Sequence, residues 1–376
     1  MTVFSNFGKY GIVGAGGGAG FEITGGNMLA PGDGYTYHVF LASNNSTTTT
    51  HSMDVSLAGA SLNASAMVVG GGGPGGYSIG GGGGAGGVLF TNNKIVLADG
   101  AYVIVVGAGQ AADFPGPGSA PPVSTSFNGA NSNFYHPTTP VPTRALARGG
   151  GVGGSYGYTP VPTPALHTNH GLTGGSAGGT GGQHPTQFVG TQYTNGTQPA
   201  PSPIWTAYAN RGGAGTGGSY SGGGGGGAGG AGVNGSGNRP GGNGGPGIAI
   251  PIFPGPGIGL SHIPSNKYAA GGSGTGYPNG GTAPSIDGIG GRGGHAGSYP
   301  TMASAGTPPT GYLPASTPRP TPPSLNLPAP VYNAPPFKFP NRAMQDTGSG
   351  GGASGYGGLG GAGASGIVVV RYLTQA

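Results

Sequence analysis

Residues 66–90 read AMVVGGGGPGGYSIGGGGGAGGVLF, a strand-like opening and a strand-like close with almost pure glycine between them. The chain ends in the same order, where GSGGGASGYGGLGGAGASG at 348–366 runs into IVVVRYL at 367–373. Glycine-rich runs recur at 70–76, 80–87, 149–154, 174–182, 212–218, 222–232, 241–247, 271–276, 288–294 and 348–363. Glycine loses more backbone entropy on folding than any other residue, so an ordered run must recover that loss through contacts only glycine permits. A polyproline II-type helix meets this requirement. It has three residues per turn, no internal hydrogen bonds and backbone groups directed outward, so a run of seven residues spans roughly 20 Å. Without Cβ atoms such helices approach closely and pair N–H with C=O across neighbours. The runs therefore predict a body of packed polyglycine helices. The alternative is irregular glycine loops draped over a β-sandwich.

Composition sharpens the problem. Of 376 residues, 95 are Gly and 37 Pro, and only 62 are Leu, Ile, Val or Phe. That is the profile of a low-complexity chain without enough apolar side chains for a conventional core. Cysteine is absent, which excludes disulfides and thiolate metal sites. The 12 basic residues outnumber the 7 acidic ones but are scattered from Lys9 to Arg371, which argues against a nucleic-acid-binding stripe. The start, MTVFSNFGKYG, has no basic segment followed by a long apolar one, and no apolar run reaches the ~20 residues of a membrane span. The expectation is neither secretion by the usual signal nor membrane insertion.

Helix signals are nearly absent. Strands are expected at 35–42 (YTYHVFLA), 52–58, 65–70, 87–92, 101–107 and 366–373, with a weaker one at KIVL, 94–97. The predicted fold is all-β with little or no α-helix. A small sheet or sandwich forms from the N-terminal region and the C-terminal strand, beside the polyglycine body with its long surface loops. The organisation reads as an interaction segment at 1–34, a strand-rich region at 35–110, a glycine-rich scaffold with displayed loops at 111–365 and a closing strand at 366–373.

No catalytic constellation emerges. Glu22, Asp33, Asp54, Asp99, Asp113, Asp287 and Asp346 are spread singly, which gives no local carboxylate pair. His167 and His170 in HTNH lack an acidic third ligand, so neither a metal nor a cofactor is expected. GAGGGAG at 14–20 and GAGQAADFPG at 107–116 have phosphate-loop spacing, but one residue in four is glycine and no Lys-Ser/Thr closes either. The aromatic residues are more informative. Tyr156, Tyr158, Tyr193, Trp205, Tyr208, Tyr312, Tyr332, Phe337 and Phe339 lie between glycine runs, commonly beside Pro, with Ser, Thr and Asn neighbours. Rigid aromatics among small polar residues are the vocabulary of a recognition surface. They equally suit a cover over the edge of the glycine body. The stretch 196–210 reads as a binding loop whose removal spares folding.

In order and spacing, YTYHVF at 35–40, MVVGGGGPGG, GGGGGAGGVLF, AYVIVVGAG at 101–109, GGNGGPGI at 241–248 and GGAGASGIVVVRYL resemble the glycine-rich domains of tailed-phage tail-fibre and adhesin proteins of the marine and cyanobacterial phage type. The set covers residues 35–373. The chain is also similar to the T-even-type tip adhesins, built of stacked polyglycine helices with receptor loops. The resemblance implies a non-enzymatic virion surface protein assembled in the host cytoplasm. Its expected partners are other virion proteins (fibre shaft or capsid), host glycan or outer-membrane protein, and a further copy of itself. PRPTPPSLNLPAPVYNAPPFKFP at 318–340 departs from the compact receptor loops, and a head fibre or capsid decoration protein is the alternative. A structural or ice-binding polyglycine protein is the further one, and that class would present a regular row of Ala or Thr.

Overall fold

The computed structural model describes residues 20–59, 61–77, 79–111, 128–138, 144–155, 171–182, 195–216, 221–236, 241–261, 263, 266–276, 290–291, 343–355 and 360–374. Its strands are β1 (Glu22–Thr24), β2 (Asn27–Leu29), β3 (Tyr35–Leu41), β4 (Thr49–Ser56), β5 (Leu62–Val69), β6 (Val88–Leu97), β7 (Gly100–Val106), β8 (Ser132–Tyr135), β9 (Ala145–Ala147), β10 (Thr206–Tyr208), β11 (Ile248–Ala249), β12 (Lys267–Tyr268) and β13 (Ile367–Leu373). All pairings are antiparallel. One sheet runs β10-β6-β5-β13-β3-β2, a second runs β1-β4-β7-β8-β9, and β11 and β12 make a two-stranded ribbon.

The closing strand β13 lies inside the larger sheet, with Val369 opposite both Val39 and Met67. Its alternate residues go to different cores. Val368, Val370 and Tyr372 face the second sheet and pack with Phe40, Met53, Val68, Ile104 and Phe134. Ile367 and Val369 join Tyr37, Met67 and Val88 on the outer face, beneath Ile250, Phe253, Ile258, Leu260 and Tyr268 of a covering segment that includes a 3-10 turn at Pro256–Ile258. Burial on both faces explains why IVVV is a continuous apolar run instead of an alternating one.

The predicted strands are present. The stretches at 87–92 and 94–97 are one strand, β6, read as two because of a bulge. Pairing jumps from Ala64–Ile95 to Ala66–Thr91, Asn93 takes φ +52°, and its N–H donates to Ser65 Oγ at 2.8 Å. Strands β1 and β2 place part of the expected 1–34 segment within the sheets. Strands β8 to β12, of two to four residues each, lie inside the expected scaffold region.

Six glycine stretches continue strands of the two larger sheets without a break: β5 into 70–76, 80–87 into β6, β7 into 107–111, 128–131 into β8, β9 into 148–155 and 360–366 into β13. Successive donors in 80–87 turn to three different neighbours with a period of three. Gly81, Gly84 and Gly87 donate to Gly154, Gly151 and Arg148. Gly82 and Ala85 donate to Gly223 and Gly226, and Gly80, Gly83 and Gly86 to Ser354, Gly351 and Gly348. Its carbonyls accept from three further stretches, including Gly73 to Gly84, Gly179 to Gly82 and Gly272 to Gly83. That periodicity is the polyproline II-type helix, here as rods in a hexagonal array.

Three rods are enclosed on all six sides. Rod 70–76 bonds to rods 80–87, 107–111, 128–131, 148–155, 348–354 and 360–366. Rod 80–87 bonds to 70–76, 148–155, 174–182, 221–228, 269–276 and 348–354. Rod 221–228 bonds to 80–87, 174–182, 210–216, 230–236, 241–247 and 269–276. A Cβ at Gly81, Gly82 or Gly84 would overlap the carbonyl oxygen of Gly179, Gly272 or Ser176, which fixes glycine at these positions. Pro74 is tolerated because its φ suits the rod and it carries no N–H to satisfy.

At the perimeter, asparagine replaces the missing neighbour. The N–H of Gly149 donates to Asn131 Oδ1 at 2.9 Å, that of Val152 to Asn128 Oδ1 at 3.2 Å, and that of Ala214 to Asn234 Oδ1 at 2.9 Å. Asn210 Nδ2 in turn donates to the carbonyl of Gly227 at 2.8 Å.

Candidate functional site

Hydrogen-bond register fixes which end of each rod meets the sandwich. Gly70, Gly87, Arg148, Gly348 and Gly366 lie at that end, next to β5, β6, β9 and β13. At the other end Gly76 donates to Gly81, Gly81 to Gly154, Gly182 to Ile79, Gly80 to Ser354 and Thr275 to Gly80, while Gly222 donates to Thr275 and Gly242 to Gly222. The chain passes from rod to undescribed segment after Ser155, Gly182, Thr216, Ser236, Gly276 and Gly355 at the end away from the sandwich, and after Ala111 nearer the sandwich, where Gln110 donates to Gly72. Successive rods run up and down, so the connections after these six residues start from one face, and the one after Gly182 rejoins the described chain beside the sandwich, where Thr197 donates to Gly174 and Gly175.

That face carries a collar of hydroxyl residues, which close the backbone groups that lose their partners where the rods stop. Ser155 Oγ accepts from the N–H of Tyr77 at 3.0 Å, Thr275 Oγ1 donates to the Ser354 carbonyl at 2.9 Å, Thr180 Oγ1 accepts from the N–H of Gly215, and Thr216 and Ser221 pair through their backbones. Serine and threonine at the rod ends are the sequence signal for this collar.

Of the nine aromatic candidates, Tyr156, Tyr158, Tyr193, Tyr312, Tyr332, Phe337 and Phe339 lie outside the described residues. Tyr156 and Tyr158 immediately follow Ser155, so their segment is tethered to the collar. The other two sit elsewhere. Trp205 is buried in the core between the sheets, only 4% exposed, and Nε1 has no hydrogen-bond partner. Tyr208 is the last residue of edge strand β10, opposite Val88, and packs against the outer-face core. The reading of 196–210 as a dispensable binding loop is thereby corrected. Gln198 Oε1 also accepts from the N–H of Arg148 at 2.7 Å, and its Nε2 donates to Leu146 at 2.9 Å, so this stretch closes one side of the sandwich. Ile-Trp-Thr-Ala-Tyr at 204–208 carries the strand signal, masked in the sequence by the prolines before it.

Several of the described titratable groups are tied into the fold. Asp33 accepts from the Tyr35 N–H and the Tyr37 hydroxyl, Asp99 from the N–H of Leu57, and Ser365 Oγ donates to Asp346. Arg371 stacks 4.1 Å over the Tyr35 ring and donates to the Ile252 carbonyl at 3.1 Å, which ties the covering segment to the sheet. His38 is buried, with Nδ1 donating to the Gly25 carbonyl at 2.7 Å and Nε2 accepting from Tyr372 at 3.0 Å. Burial lowers its pKa, against the opposing effect of the Gly25 bond, and burial pushes the Tyr372 hydroxyl up to about 12. Among the described residues no three His, Cys, Asp or Glu converge in a metal-binding geometry, and no helix is long and apolar enough to cross a membrane.

Comparison with protein families matches a glycine-rich domain to residues 46–312, well over half of the chain. The chain belongs to the glycine-rich domain family. The matched span of this glycine-rich domain includes the three enclosed rods, three of the six strands of the larger sheet and four of the five of the second. Comparison with curated proteins finds no match.

Proposed function

We propose that this glycine-rich protein is a non-enzymatic surface component of a tailed-phage virion, a tail-fibre tip or adhesin that presents recognition segments to host glycan or outer-membrane protein. The observation that carries the reading is the shared exit face. Segments rich in Pro, Tyr, His and Thr, 156–170 and 183–194 among them, leave one end of a slab whose rods are held together by backbone hydrogen bonds. Such a base fixes the points from which the segments leave. The opposite, sandwich end is then the part that docks on a fibre shaft. The resemblance of the ordered motifs over 35–373 to tail-fibre domains supplies the virion context. Perimeter positions such as Val233, Asn234 and Ser236 on one rod and Asn243 and Pro246 on the next form no regular Ala or Thr row, which weighs against the ice-binding alternative.

Immunogold labelling of phage particles and a segment replacement test this reading together. Gold at the tail tip is expected. Replacing 183–194 with Gly-Ser of equal length is expected to leave the melting temperature within about 2 °C and to cut adsorption to host cells at least tenfold. Gold on the capsid would favour the head-fibre or decoration reading. An unlabelled particle, or full adsorption after 156–170 and 183–194 are both replaced, would overturn the proposal.

A further inference from the structure

The rod at 148–155 has five rod neighbours where an enclosed rod has six. Around it, donor and acceptor faces alternate. Gly150 and Gly153 donate to rod 70–76, and Arg148, Gly151 and Gly154 accept from rod 80–87. Gly151 and Gly154 donate to rod 174–182, Val152 accepts from Leu172, and Gly150 accepts from Gly129. The remaining face bears the N–H groups of Gly149 and Val152, and no rod lies against it among the described residues. Asn131 and Asn128, three residues apart as the rod's pitch requires, close those two donors with their side-chain oxygens.

Beside this face, next to Arg148 and Gly149 at the sandwich end of the rod, lies a groove of about 470 Å³. Glycine backbone forms its floor, and its walls carry the amides of Gln110, Asn128 and Asn131, the hydroxyls of Thr173 and Thr197, and the guanidinium of Arg148. Arg148 is held by a bond from NH1 to Thr197 Oγ1 at 3.0 Å and has no carboxylate partner among the described residues. Asn128 is fixed at both ends, since its Nδ2 donates to the Thr173 carbonyl at 2.7 Å. Because the asparagines have already closed the rod's donors, the groove does not call for a further polyglycine rod. It offers planar amides and hydroxyls to a ligand with many hydroxyl groups. No lining residue has an aromatic ring on which a base could stack. One cation stands among the lining residues and no anion.

We infer that the groove beside Arg148 and Gly149 binds a saccharide unit carrying a carboxylate, with Arg148 on the carboxylate and Gln110, Asn131 and Thr173 on the hydroxyls, while Thr197, whose hydroxyl donates to the Gly174 carbonyl at 3.1 Å, holds Arg148 in place. Saturation-transfer NMR on the full chain with galacturonate, N-acetylneuraminate and their methyl esters tests this, with acetate and hexaglycine as further probes. Saturable signals are expected from the acids, weakened at least fivefold in their methyl esters. Arg148→Gln is expected to erase that preference. Asn131→Asp keeps the oxygen that closes Gly149 but places a like charge in the groove, and is expected to abolish binding of the acids. Several outcomes overturn the proposal: no acid signal at millimolar concentration, equal signals from wild type and Arg148→Gln, acetate bound as well as the sugars, or hexaglycine displacing them. If Asn131→Asp fails to fold, Arg148→Gln alone decides.

Discussion

Glycine in an enclosed rod is required because the space a Cβ would need is already filled by the carbonyl of a neighbouring rod of the same chain. At Gly224 that carbonyl belongs to Asn243. Gly224→Ala is expected to lower stability by about 3 kcal/mol, because the neighbour is backbone and cannot swing aside, whereas Val233→Ala on the exposed perimeter should change it by less than about 1 kcal/mol. Chemical denaturation of the two variants checks the pair, and an unchanged midpoint for Gly224→Ala would contradict the packed-rod core. Alanine is tolerated where rods meet the sheet, as at Ala85 and Ala228, whose methyls join the apolar cluster on the sheet's outer face. His38 gives a second residue-level expectation. Its folded pKa lies below the unfolded value of about 6.5, so the unfolded chain binds the extra proton first. The stability of the neutral form is complete above pH ~6.5 and is lost as pH falls below it toward the folded pKa. Protonation would also turn Nε2 into a donor facing the Tyr372 hydroxyl. Melting curves between pH 7.5 and 5 should show a decline that is smaller in His38→Gln.

At the scale of elements, strands and rods are one continuous path, since a strand and a polyproline II-type helix both extend by about 3 Å per residue. Removing side chains is enough to pass from one to the other. The long strands were legible because β-branched and aromatic residues mark them, and the rods because glycine does. The short strands β8 to β12 were not, since two to four residues carry no period, and in β10, which pairs with β6, the prolines before Ile204 masked the strand-forming residues. The aromatic site prediction failed at Trp205 for a related reason: adjacency to Pro was read as a loop, while an inter-sheet core took the ring. The role of asparagine at the slab's edge was hidden as well, because which N–H lacks a neighbour depends on the lattice. Asn128→Ala strips the cap from the N–H of Val152, a residue that is 4% exposed, and should cost about 1–3 kcal/mol. Faster hydrogen exchange at Val152 is the accompanying signature. Protection equal to wild type would show that the cap is not what closes that face.

For the whole molecule, the sequence announced rods and a sheet but not their arrangement. Nothing in 80–87 reveals that its neighbours come from residues as distant as 148 and 354, because each glycine run offers the same surface to every other. The exit face, the groove beside Arg148 and the enclosed rods all follow from that arrangement. A thermal consequence follows too. Heat-capacity change on unfolding rises with the apolar surface exposed and falls with the polar surface exposed. In three enclosed rods the buried material is peptide groups, so unfolding wets amides where an ordinary core would wet hydrocarbon. Calorimetry should give a heat-capacity increment per residue below the usual ~12–15 cal/mol/K, and a value at or above that range would contradict it. A small increment flattens the stability curve, so a slab of backbone resists cold as well as heat.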